Sequence, residues 1–218
     1  MTTGPTYAEI LHRYEALSLL GNDSEHIQGR AWYHGNANTV CRDLGYPNVL
    51  TPEQRRQALL VASILSPQLS WEKNVEAARA CYRSQSRPRG VIESFWAKAC
   101  TVDSAPLTVH NVDYVARYIN ARTAPKTFNF ALALIDPDGD HCVIDRHMFD
   151  AAFLAKGAHE DPWCKRRGSY DLCAKALQEL AARQQIPASA VQATVWLVWK
   201  SMTNRRSENG KNPMEKMS

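Results

Sequence analysis

The stretch "TAPKTFNFALALIDPDGDHCVIDRHMFDAAF", residues 123–153, decides how this chain is read. Lys126 follows Pro125 and opens an apolar run, and Asp145, nineteen positions later, follows the apolar trio Cys142-Val143-Ile144. Between them "DPDGD", residues 136–140, must reverse the chain, because aspartate, proline and glycine favour turns. Its acids invite a calcium-loop reading, but an EF-hand needs a glycine at its sixth position and a distal glutamate, and neither is present. Lys126 then falls in the first turn of a helix expected over 126–135. Asp145 falls at the N-cap of one expected over 146–155. A carboxylate there accepts backbone amide hydrogens and meets the positive end of the helix. The two residues read either as a cap and a surface lysine, or as an amine and a carboxylate facing one cleft. In the second case a desolvated amine can serve as a nucleophile, and the carboxylate can stabilise positive charge developing on a sugar.

The same helical grammar extends along the chain. Thr6-Tyr7-Ala8-Glu9 is a capping box, Tyr7, Ile10, Leu11, Tyr14 and Leu17 share one face behind it, and Gly21 stops the helix. Thr51-Pro52-Glu53-Gln54 repeats the box with proline at the first helical position. It launches the almost wholly apolar residues 58–65, which predict a central helix buried on most sides. Further helices are expected at 70–83, 91–100, 109–121, 169–184 and 189–203. Val112, Val115 and Ile119 form the stripe of the third, and Tyr170, Cys173, Leu177, Leu180 and Ala181 the face of the fourth. No alternating β-branched run suggests a sheet, so the fold class is all-α. No internal repeat is present, and the tail over 204–218 is polar and expected to be flexible.

The chain's 218 residues are 44% apolar, enough for a real core. No apolar run approaches the roughly 18–20 residues that cross a bilayer. The N-terminal residues lack the basic-then-apolar layout of a secretion signal, which predicts a cytoplasmic protein with no membrane partner. Six cysteines, at 41, 81, 100, 142, 164 and 173, are scattered without a CxxC, so free core thiols are expected, with no metal site. The net charge of +4 permits nucleic-acid binding without demanding it. Arg83, Arg87 and Arg89, and Lys165-Arg166-Arg167, are local basic clusters.

The residues "KTFNFALALIDPDGDHCVIDRHMF" resemble the helix-hairpin-helix (HhH-GPD) DNA glycosylase superfamily, especially its endonuclease III branch. There a "GxGxKTAN" segment is followed about eighteen residues later by "VDTH". Lys126, Thr127 and Asn129 match the first block, and Asp145 and His147 the second. Upstream, "ILSPQLSWEKNVEAARACY", residues 64–82, resembles that family's "LLSAQ" helix end, with Leu65, Ser66 and Gln68 in register. The resemblance covers about 50 to 200.

What it implies is a two-lobed all-α molecule with a central cleft for double-stranded DNA, acting as a monomer. Residues 51–141 would form a helical bundle lobe with a degenerate hairpin. Residues 1–50 would join 142–203 in the other. Lys126 becomes the nucleophile that attacks C1′ of a flipped nucleotide, and Asp145 the catalytic carboxylate. Gln68 fills the gap left in the duplex. Trp71 stacks on a base, as Trp96 and Tyr114 could, and Arg122, Thr123, Asn129, Arg146 and His147 contact DNA. Base extrusion is needed because the glycosidic bond is out of reach inside the stack.

Two departures stand out. Arg122-Thr123-Ala124-Pro125 replaces the family's hairpin glycines, and proline removes an amide donor, leaving phosphate to the Arg122 or Thr123 side chains. The cluster-binding cysteines are missing, so no iron–sulfur cluster and no cofactor is expected. The chain looks more like small divergent phage members of the superfamily. Those include α-glutamyl/putrescinyl thymine pyrophosphorylases, proposed to transfer an amine or amino acid to activated 5-hydroxymethyluracil in DNA. A glycosylase for a modified base, such a hypermodifying transferase and a catalytically silent DNA-binding protein are the three expectations.

Overall fold

The computed structural model describes residues 4–46, 48–166 and 168–209, with side chains through Asn204. The described residues are all-helical: ten α-helices, two short 3-10 turns and no strand. They group into two compact units. Residues 1–32 and 142–218 make up the first, and residues 33–141 the second.

In the first unit α1 (Tyr7–Leu20) packs chiefly on α9 (Ser169–Gln184), and both pack on α10 (Ala188–Asn209). The Thr6–Glu9 capping box forms in full. Ile10, Tyr14 and Leu17 are buried, meeting Cys173, Leu177, Leu180, Val195 and Trp199 in one core. The trio Cys142-Val143-Ile144 is also buried although it is not helical. Buried backbone needs partners, and the Tyr170 hydroxyl supplies them: it donates to the Cys142 carbonyl (2.9 Å) and accepts from the Ile144 amide (3.3 Å). α8 (Arg146–Phe153) follows, burying Met148, Ala151 and Ala152.

In the second unit α3 (Pro52–Leu65) is the hub, packed by α4 (Trp71–Tyr82), α5 (Glu93–Ala99) and α7 (Pro125–Ile135). Its Thr51–Gln54 capping box is complete and residues 58–65 are all buried, as the pattern predicts. α6 (Asn111–Ala116) packs on α7.

The sequence reading assigns N-terminal helices to residues 1–50 but places only the one behind Thr6; the second is α2 (Asp23–Gly45). Its start is a capping box: Asn22 Oδ1 accepts from the Glu25 amide (2.9 Å) and Glu25 Oε2 from the Asn22 amide (3.0 Å). Beyond residue 32 it buries Tyr33, Ala37, Val40, Cys41 and Leu44. The two units therefore divide inside α2 and not at the 50/51 boundary read from the sequence. The helix expected over 109–121 is only Asn111–Ala116, and Val112 of its supposed stripe is 48% exposed. Tyr114 lies inward instead, its hydroxyl donating to the Asp103 carbonyl (2.6 Å). The tail is helical to Asn209, and residues 210–218 lie outside the described residues.

Gly29 of α2 lies against α10. A Cβ there would sit 2.1 Å from Thr194 Oγ1 and 2.8 Å from the Thr194 amide nitrogen. Alanine is the better helix former by ~1 kcal/mol, but this approach leaves no room for a methyl. Gly29→Ala is expected to destabilise the protein by about 1–3 kcal/mol through overpacking. Denaturant unfolding that shows a gain instead would mean the two helices do not approach this closely.

Candidate functional site

Asp145 is the N-cap of α8, in extended backbone conformation. Its Oδ1 accepts from the amides of both His147 (2.9 Å) and Met148 (3.0 Å). Oδ2 makes no hydrogen bond among the described residues, and the residue is half-buried. One oxygen is thus anchored and the other remains open, at the positive end of a helix.

Beside it lies an aromatic group. The His147 imidazole meets the Trp196 indole edge-on, with centroids 6.3 Å apart. Trp196 meets Trp32 at 6.1 Å, and Lys200 Nζ sits 4.1 Å above the Trp196 ring. Trp199 is fully buried, but Trp196 is only half-buried. Trp196 and Lys200 are one turn apart on α10, the spacing that could have signalled the pair. Burial pushes the His147 imidazole below its ordinary value; Asp145 opposes the shift, and Arg146 and Lys200 add to it. Arg146 itself is exposed at the first position of α8.

The second unit gathers the other candidates. α6 and α7 are joined by residues 117–124, and Asn120 closes this hairpin from within. Its side-chain oxygen accepts from the amides of Arg122 (2.9 Å) and Thr123 (3.3 Å), and its carbonyl from that of Ala124 (2.9 Å). With Pro125 next, none of these four residues offers a free amide to a phosphate. The Arg122 and Thr123 side chains are exposed. α7 has no side-chain cap, and the amides of Lys126 and Thr127 have no partner among the described residues. Its start is therefore open to an anion. Lys126 is exposed there, without a hydrogen bond or ion pair among the described residues. Asn129 reaches back to the Pro125 carbonyl (2.9 Å), bracing that first turn.

Gln68 does not end a helix. It occupies the third position of the turn Ser66-Pro67-Gln68-Leu69, with φ 66° and an exposed side chain. Proline followed by positive φ is the signature of a type II turn, which favours glycine at Gln68's place. Trp71, half-buried at the start of α4, packs edge-on against Phe130 of α7, centroids 6.5 Å apart. Trp96 is half-buried and Tyr114 fully buried, under the Arg56 guanidinium (4.5 Å to the ring centroid). Lys126 and Asp145 belong to different units.

The cysteines are less dispersed in space than in sequence: Cys81 and Cys100 bring their sulfurs to 3.3 Å as free thiols. Cys100 is exposed and Cys164 half-buried, so those two are not core residues. Among the described residues no three His, Cys, Asp or Glu side chains group as a metal site, and no helix is long and apolar enough to cross a membrane.

A family model described as "Family of unknown function (DUF7178)" matches residues 6–203. The chain belongs to this family. No curated protein and no solved structure matches the chain.

Two expected outcomes follow from this geometry. A residue strained by left-handed φ costs roughly 1–2 kcal/mol that glycine avoids, less glycine's own unfolded-state entropy. Gln68→Gly should leave stability unchanged or raise it by up to ~1 kcal/mol in urea titration; a clear loss would show that the side chain holds the turn. Burial also lowers the His141 imidazole. A lowered folded value means that the unfolded chain binds the proton more readily. Stability is then complete above the ordinary value of 6.5 and declines as pH falls through the folded values. His141→Gln combined with His147→Gln should flatten that acid limb, measured as unfolding midpoint against pH.

Proposed function

We propose that the protein is a DNA base-processing enzyme of the helix-hairpin-helix glycosylase type, which extrudes a modified pyrimidine and cleaves its N-glycosidic bond. Asp145 carries this reading: a carboxylate anchored through one oxygen, with the other open, on the helix whose start matches the "DxH" block. Such a group is oriented before substrate arrives, which is what stabilising charge on a sugar requires. The chain grouping agrees with the resemblance, since both chain ends share one unit and the middle of the chain forms the other.

In this scheme the Lys126 amine forms a bond to C1′ as the C1′–N bond breaks. The electron pair leaves with the base, which takes up a proton, and Asp145 stabilises the positive charge on the sugar. Because Lys126 is exposed, its desolvation would come from the bound nucleotide. The open start of α7 and the Arg122 and Thr123 side chains would take phosphates in place of the closed hairpin. Gln68, exposed at a turn with positive φ, would enter the gap in the duplex. Trp196 and Trp32 would offer a stacking surface, typically worth about 1–3 kcal/mol per base.

One observation favours a second reading. The hairpin amides that hold phosphate in glycosylases are all taken by Asn120 here, a change that suits a relative whose chemistry has moved. In the hypermodifying transferase an amine would attack the 5-methylene of activated 5-hydroxymethyluracil in DNA, forming a C–N bond as the C–O bond to pyrophosphate breaks.

Borohydride trapping on DNA carrying modified pyrimidines distinguishes them. The glycosylase reading expects a covalent adduct that Lys126→Ala abolishes. Pyrophosphate release without an adduct would move the assignment to the transferase, and DNA binding without turnover would leave a silent binder. Asparagine caps helices about as well as aspartate, so Asp145→Asn should change stability by less than ~0.5 kcal/mol while slowing turnover roughly 100-fold or more.

A further inference from the structure

Arg56 is 4% exposed, and no carboxylate lies within 4 Å of its guanidinium among the described residues. Its terminal nitrogens donate to the carbonyls of Val109 (2.7 Å), Ala105 (2.5 Å) and Pro106 (2.6 Å) and to Asn111 Oδ1 (3.4 Å). Its face covers Tyr114. Its Nε is buried without a partner. Those contacts satisfy donors but bring no negative charge, and a buried ion without a counterion is costly.

The same arginine lines a cavity of about 370 Å³ that lies wholly within the second unit. Arg55, its neighbour on α3, lines it too, with His34 close by. No acidic residue is among the lining residues; Asp138 pairs with His34 at 3.0 Å. Leu59, Leu134 and Ile135 supply apolar lining. Asn38 and Asn111 line it as well; their side-chain oxygens face Arg55 (3.3 Å) and Arg56, which leaves their amide nitrogens as donors. The volume falls within the range of small-molecule sites, about 300–1,000 Å³.

We propose that this cavity binds a small organic phosphate of the nucleoside monophosphate class. The exposed Arg55 guanidinium takes the phosphate, whose charge, beside the buried Arg56, supplies the counterion that Arg56 lacks. The apolar lining covers the faces of the ring, and the asparagine amides donate to its carbonyl edge. The site does not include Lys126 or Asp145, and its test uses no DNA, so its failure and that of the glycosylase reading are independent.

Isothermal titration of the full chain with thymidine 5′-monophosphate, thymidine and inorganic phosphate reads it directly. The expected result is one site for the monophosphate, at least tenfold weaker binding of either fragment, a tenfold or greater loss in Arg55→Gln and no binding in Arg55→Glu. Arg55 is exposed, so neither change should unfold the protein; Arg56→Lys serves as a second variant where it folds. No heat with the monophosphate, or an affinity indifferent to both Arg55 changes, overturns the proposal. Equal affinity for inorganic phosphate overturns the role of the ring.

Discussion

α8 is only eight residues long, too short to hold itself together in water, where isolated helices below ~12–15 residues are marginal. It exists because its ends and sides are tied down. The Asp145 carboxylate takes two of its orphan amides, the Tyr14 hydroxyl donates to the Met148 carbonyl (3.0 Å), and Arg13 donates to that of Ala152 (2.7 Å). Inside the helix, buried Asp150 accepts from the His159 amide and ring, both at 2.8 Å. Leu154 then stops it in left-handed conformation. The cap also presents an oxygen that makes no hydrogen bond among the described residues, on a half-buried side chain. Structural need and chemical availability are divided between the two oxygens of a single carboxylate.

The second unit solves a comparable problem around α3. Its hub is apolar over two turns, yet its second turn carries Arg56, which gathers the carbonyls of the non-helical residues 105–109. A lysine could not reach this set, because it lacks the planar fork that bonds several acceptors at once. The loop is thereby fixed against α3 by a charge, and the adjoining cavity inherits that charge. Positive potential in this unit is built into the fold and is not merely a property of exposed side chains.

Where the sequence carried local rules, the fold was legible. The boxes at Thr6 and Thr51, the proline at position 52 and the apolar run behind it fix α1 and α3, and an aspartate before "RHMF" fixes the start of α8. Where tertiary contacts decide, it was not. α2 holds glycines at 29, 35 and 45, and its apolar positions form a narrow stripe, so its "NDSE" start is the signal that could have located it. The expected span of α6 is too long because Val115 and Ile119 are both buried at helical spacing although the helix ends between them, and Val112 of the same stripe is exposed. Nothing local in the sequence sets Trp196 apart from the core positions of its helix; its half-exposure beside His147 depends on a neighbour forty-nine residues distant. The pairing of Cys81 with Cys100, and the burial of Arg56, are likewise products of long-range packing.

The hairpin shows how such contacts can change what a motif means. By sequence, Lys126, Thr127 and Asn129 form one block and the proline before them is a departure. In the structure these are parts of one arrangement. Pro125 has no amide to offer, Asn120 absorbs the next three toward the N-terminus, and Asn129 secures the Pro125 carbonyl. What stays unsatisfied is the start of α7 itself, at the amides of Lys126 and Thr127. An anion approaching this hairpin would find no nest of glycine amides, but a helix end with a cation standing on it. With the turn closed by an asparagine, the open donors lie at the start of the helix, one of them on the residue that carries the amine.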